Sequence, residues 1–299
     1  MTDQHLFRTR AFRRACVLAM AALLPAASGA APQRALDTMD ALPATPAVSS
    51  VLPAGRSVEV GATATVFATM INTSPTALSG CQIGLPASAP AGLSILYQTT
   101  NPATNALTGT PNTPATIAGN DGIATFVLAF SATGPLTAPG LALSYVCTGV
   151  QPVTTVPGVN TVDLLFSATP IADVIALAAT ASNDGTVDVS LSGGGGAFAV
   201  ASDNVGVDSL ITVTTDTGGA TLPLGITVCE TSSNGQCFAA PSPSVTLDYM
   251  SGATPTFSIF VTATAPVPFA PGTSRIFLRF LDAQGVSHGS TSVAVDTTN

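Results

Sequence analysis

From residue 57 onward the chain alternates apolar and polar positions in short runs, broken by Gly, Pro and Asn. In Thr125–Phe130 one face carries Phe126, Leu128 and Phe130. In Arg275–Asp282 one face carries Ile276, Leu278 and Phe280, and the other Arg275, Phe277 and Arg279. In Thr161–Ser167, Val162, Leu164 and Phe166 alternate with Thr161, Asp163 and Leu165. A period of two over runs this short predicts β-strands, because successive strand side chains point to opposite faces. No stretch sustains an amphipathic helix. Ile171–Ala181 comes nearest, and its Val174 and Ile175, followed by the Asn183-Asp184-Gly185 turn, predict a strand leading into a hairpin. Residues 31–56 are Ala/Pro-rich with little periodicity and read as a linker.

The pattern repeats. Leu93–Thr99 lies over Leu224–Glu230, and Thr125-Phe126 over Thr256-Phe257, at the same offset of 131 residues. The strand running into Asn72-Thr73-Ser74 lies over the strand into Asn204-Val205-Gly206, one residue out of register. Two copies of one β-sandwich follow, residues 57–168 and 169–299. Lengths of 112 and 131 residues suit Ig-like domains. The expected fold class is all-β: two tandem Ig-like sandwiches.

Val58-Glu-Val-Gly61, then Ala64-Thr-Val-Phe-Ala-Thr-Met-Ile-Asn72-Thr73, then Thr116-Ile-Ala-Gly119 and Gly122–Phe130, resembles the Hydin-type Ig-like modules of exported bacterial proteins. The second copy follows with Ala197–Val200, Asn204-Val-Gly206 and Thr256–Val261. Ser74 stands where the pattern of those modules has Gly. The resemblance covers most of the chain after the linker. It implies spacer or interaction modules without an active site.

Export is written at the amino terminus. Arg8, Arg10, Arg13 and Arg14 precede an apolar run from Ala15 to Leu24, then Pro25 and the small residues Ala26–Ala30. This is a secretory signal peptide, residues 1–30, cut after Ala30. The apolar run is about half of the roughly 20 residues that span a bilayer. The expected location is periplasmic or secreted, with no membrane span. Cys16 leaves with the signal, and the remaining Cys81, Cys147, Cys229 and Cys237 read as two disulfides. Three pairings are possible. Cys81–Cys147 with Cys229–Cys237 keeps each bridge within one sandwich, and the shorter loop then staples a hairpin at Asn234-Gly235. Four arginines remain against 15 acidic residues, a net charge of −11, and there is no Lys. A chain this acidic does not hold nucleic acid or anionic lipid by charge.

Composition also narrows the chemistry. Without Lys there is no Walker A loop and no Schiff base. The chain after the signal has one histidine, His288, so no zinc-type His pair forms. His288 is expected to face solvent from a terminal strand, although any hydrolase triad would have to use it. Ser192-Gly-Gly-Gly-Gly196 leads into a strand and reads as a flexible loop. Acidic residues thicken around the junction of the two copies: Asp163, Asp173, Asp184, Asp188, Asp203 and Asp208. Among them Asp184 and Asp188 are the candidate calcium ligands; no other cofactor is expected. The leading expectation is a non-catalytic structural or protein-interaction module that meets a partner through its sheet edges. A calcium- or carbohydrate-binding protein is the alternative, and a hydrolase the third reading.

Overall fold

A computed structural model describes residues 45–298. The expected signal peptide and the linker up to residue 44 lie outside the described residues. Among the described residues every regular element is a strand. In the first half these are β1 (Ala47–Leu52), β2 (Gly55–Glu59), β3 (Ala64–Asn72), β4 (Leu78–Gly84), β5 (Leu93–Thr100), β6 (Ala115–Ile117), β7 (Gly122–Ala132), β8 (Leu136–Ala142), β9 (Ser144–Val146) and β10 (Thr161–Ser167). The second half holds β11 (Val174–Thr180), β12 (Thr186–Ser190), β13 (Gly196–Asn204), β14 (Ser209–Asp216), β15 (Leu224–Thr231), β16 (Ser244–Tyr249), β17 (Thr256–Ala263), β18 (Arg275–Leu281) and β19 (Ser287–Thr298).

The two halves share one topology. An antiparallel sheet in the order β1-β3-β7-β5 recurs as β11-β13-β17-β15. Opposite it, β2-β10-β8 and β6-β4-β9 correspond to the five-stranded β12-β19-β18-β14-β16. In both halves the second strand pairs parallel to the last, β2 with β10 and β12 with β19. Period-two burial explains the layering. Ala64, Val66, Ala68 and Met70 of β3 and Phe126, Leu128 and Phe130 of β7 point into one core. Phe198 and Val200 of β13 with Phe257, Ile259 and Val261 of β17 point into the other.

Matching side chains fill matching positions. β5 and β15 begin and end at the same offset of 131 residues. Thr100 Oγ1 donates to Thr125 Oγ1 at 2.8 Å, and Thr231 and Thr256 pair their hydroxyls at 2.6 Å in the second copy. Asn72 and Asn204 are both fully buried at the end of β3 and β13. Asn72 Nδ2 donates to the carbonyls of Thr76 and Ala118, and its Oδ1 accepts the Ser74 amide. Asn204 Nδ2 donates to those of Val207 and Tyr249, and its Oδ1 accepts the Gly206 amide. A buried asparagine that closes a turn onto a distant loop is satisfied on both its oxygen and its nitrogen.

The expected bridges, Cys81–Cys147 and Cys229–Cys237, are both formed. Disulfides of this kind point to an oxidising, extracytoplasmic environment. The second one staples a tight turn. Ser232 N donates to Gln236 O, Phe238 N to Glu230 O, and Gly235 supplies a φ of +75° that a side chain would resist.

Two expectations need correction. The linker is not irregular throughout: Ala47–Leu52 forms β1, and β2 begins at Gly55. Its alternation was masked because small residues, Ala47 and Ser49, take the buried positions beside Val51. The Asn183-Asp184-Gly185 turn does not close a hairpin. β11 pairs with β13, whereas β12 pairs with β19, so the turn carries the chain from one sheet to the other.

Candidate functional site: the junction between the halves

The two halves lie within one compact unit and meet through polar side chains that the sequence shows only as scattered charges. Arg56 on β2 reaches Asp173, just before β11. Its Nη2 donates to Asp173 Oδ2 at 2.7 Å, and its Nε lies 3.0 Å from the same oxygen. Asp173 is 3% exposed, and its Oδ1 also accepts the Ser57 amide at 2.9 Å. The Asp173 amide in turn donates to Asn204 Oδ1, which ties this contact to the buried asparagine of the second half.

A second set of contacts lies on β18 and β19. Asp163 of β10 accepts Ser290 Oγ at 2.9 Å and the Gly140 amide at 2.6 Å, and stands 3.6 Å from Arg279 Nη1. Arg279 also donates to Asp216 and stacks over the Phe277 ring, 4.8 Å from its centroid. Ser292 Oγ donates to Gly158 O at 2.8 Å. A Cβ on Gly158 would meet Phe277 and Ser292 Oγ, each at 2.5 Å, and its φ is +73°. Only glycine fits where the first half touches this strand pair. The alternation Arg275, Phe277, Arg279, which the sequence presents as the outer face of a strand, is therefore covered by the first half.

Beside these contacts a crevice of about 560 Å³ opens between the halves. Val48, Val153 and Val156 line it from the first half, and Asp184, Phe269 and Arg275 from the second. Arg275 is 8% exposed. Its Nε and Nη2 donate to Ser292 Oγ and its Nη1 to Pro271 O. Burial lowers its guanidinium to about 10. Among the described residues no carboxylate forms an ion pair with it, unlike Arg56 and Arg279.

The residues singled out from the sequence fall in different places. Asp184 stabilises its own turn: Oδ1 accepts Ser182 Oγ at 2.7 Å and the Thr186 amide at 2.8 Å. These hydrogen bonds hold its carboxyl below the usual range, Ser182 contributing most. Asp188 lies in mid-strand on β12, in register with Asp296 of β19. Loss of hydration and the facing Asp188 push Asp296 up, and its Oδ1 is buried without a hydrogen-bond partner among the described residues. Sequence reading did not single out Asp296; the parallel β12–β19 register that pairs it with Asp188 is a tertiary feature. No group of three or more His, Cys, Asp or Glu side chains suited to a metal occurs among the described residues. Asp208 caps the Ser251 amide at 2.7 Å.

His288 does not face solvent; it is 4% exposed. The segment leading into β11 lies over it, and Nδ1 faces Ala172 O at 2.9 Å while Nε2 faces Asp282 Oδ2 at 3.1 Å. Both ring nitrogens are occupied by oxygen acceptors, so neither is available to a serine hydroxyl in this arrangement. Burial draws Asp282 upward, but the Val286 amide, His288 and the Gln284 amide outweigh it and hold its carboxyl below the usual range. Ser192–Gly195 forms a loop leading into β13. Among the described residues no helix is long and apolar enough to cross a membrane.

No family model matches the chain, and no curated protein matches it. Among solved structures it is similar to the CupB6 tip adhesin from Pseudomonas aeruginosa, at 10% identity and a TM-score of 0.22, over 79% of this chain and 91% of that one. It is similar also to the secreted serine protease VesC from Vibrio cholerae, at 10% identity and a TM-score of 0.22, over 82% of this chain and 50% of that one. Likeness at this level carries no argument about activity or partners.

Proposed function

We propose that this chain is an exported, non-catalytic interaction module of the bacterial envelope or medium, which takes up a partner strand at β11. The signal-like amino terminus and the two disulfides support the compartment. The observation that carries the binding mode is β11 itself. It hydrogen-bonds β13 on one side and no strand on the other among the described residues. Its seven residues, Val-Ile-Ala-Leu-Ala-Ala-Thr, include no charge and no proline. Natural edge strands are normally blunted by such residues, and an unblunted edge is a template for strand addition.

On the outer face of this sheet, over β11, β13 and β17, lies a groove of about 410 Å³, lined by Leu177, Ala179, Ala199 and Ala201 and by the disulfide-stapled turn at Ser232–Gly235. Small residues leave room there for a partner's side chains, and Leu177 is half exposed. A photo-crosslinking residue at position 177, in the cells that produce the protein, tests the proposal. The expected result is an adduct with a discrete protein partner from position 177 and none from Leu210, which is equally exposed on β14. No adduct at 177, or an equal one at 210, overturns it.

A further inference from the structure

We infer that the crevice between the halves is a binding site for a small organic monocarboxylate with an apolar body, with Arg275 as its anchor. This goes beyond the β11 reading and rests on different residues. The walls contributed by Val48, Val153, Val156 and Phe269 are apolar, and a volume of about 560 Å³ lies within the usual range for small-molecule sites.

Arg275 is the cation on this wall, and it is held rather than loose. Nε and Nη2 share Ser292 Oγ, which itself donates across the junction to Gly158 O, and Nη1 reaches Pro271 O. A guanidinium carries five N–H groups. These three bonds leave one N–H on Nη1 and one on Nη2 free to donate to a carboxylate. Among the described residues no carboxylate pairs with it; burying a cation without an anion is costly, and a ligand carboxylate would supply that partner. The opposite charge in the crevice is Asp184, whose Oδ1 is already occupied by Ser182 and Thr186. A single positive charge with a carboxylate nearby suits a monoanion and disfavours a phosphate of higher charge. The apolar body then covers Phe269 and Val48, which are otherwise 65% and 48% exposed.

Saturation-transfer NMR on the full exported chain tests the site with 4-phenylbutyrate, 4-phenylbutanol and inorganic phosphate as probes. The acid is expected to bind at least about tenfold more tightly than the alcohol, as a buried charge pair requires, and phosphate is expected not to bind. Val48→Asp, at an exposed position, should weaken the acid about tenfold, whereas Val48→Asn should not. Arg275→Gln should erase the discrimination between acid and alcohol. If that variant does not fold, the Val48 pair decides alone. Equal binding of acid and alcohol, binding of neither at millimolar concentration, or acid affinity unchanged in Val48→Asp overturns the inference. None of these outcomes bears on cross-linking at β11.

Discussion

Replacing Asp173 with Asn tests how firmly the two halves are joined. The carboxylate is 3% exposed and accepts from Arg56 Nη2 at 2.7 Å, from Arg56 Nε at 3.0 Å and from the Ser57 amide at 2.9 Å. Asparagine keeps the shape and an oxygen for the Ser57 amide, but it removes the charge and puts an NH2 where Oδ2 accepted the Arg56 N–H groups. Arg56, whose side chain is 12% exposed, then loses its anion in a site largely closed to water. Breaking one side of a buried pair costs about 3–5 kcal/mol, because the remaining charge is left uncompensated. At about 2–4 °C per kcal/mol for a body of this size, Tm should fall by roughly 6–20 °C. Differential scanning calorimetry measures it. Arg56→Gln in the Asp173→Asn background should recover part of the loss, since no unpaired charge then remains buried. A fall of less than about 2 °C, or a double variant no better than the single one, refutes the reasoning.

Two further outcomes follow from the different partners that buried groups find. Tyr145 and Tyr249 are both fully buried, but Tyr145 Oη has no hydrogen-bond partner among the described residues, whereas Tyr249 Oη donates to Ser202 Oγ at 2.6 Å. Burial raises both hydroxyls, Tyr249 to about 12. Tyr145→Phe should stabilise by about 1 kcal/mol or more and Tyr249→Phe destabilise by about 1 kcal/mol in urea unfolding, and changes of the same sign would contradict this. Asp296 faces Asp188 and has its acidity weakened by lost hydration and by that neighbour. Its folded value is raised, so its contribution is fully present below about pH 3.9 and is lost as pH rises through the folded value. Asp296→Asn should therefore raise Tm at pH 7, with the gain vanishing near pH 3.5–4 in thermal melts followed by circular dichroism; a gain independent of pH counts against the paired carboxyls.

Much of the fold was legible because it depends on local rules. Alternation at Phe126, Leu128 and Phe130 sets which face of β7 is buried, and the matched spacing of Leu93–Thr99 and Leu224–Glu230 marks the same strand in both copies. The self-match at Asn72 and Asn204 proves to be a matched hydrogen-bond role. Ala47–Leu52 escaped because small buried residues weaken the hydrophobic signal. The β11–β12 turn was misread because a turn sequence fixes a local bend and leaves open which sheet the next strand joins. The crevice and its anchor were missed for a related reason. Arg275 reads as one more charged position on an outer strand face until the first half is placed over it.

By itself, then, the chain determined the all-β class and the doubled strand pattern, since strand period and turn residues are properties of near neighbours in sequence; of three possible cysteine pairings it favoured the one that the fold forms. The tertiary structure alone decided what its few charges do. It set Asp173 against Arg56 and Asp163 against Ser290 and Arg279. It buried His288 beneath the segment leading into β11, and left Arg275 in a crevice without an ion-pair partner among the described residues. Charge pairing across 117 residues, as between Arg56 and Asp173, depends on how two finished sheets meet, and no spacing along the chain encodes that distance.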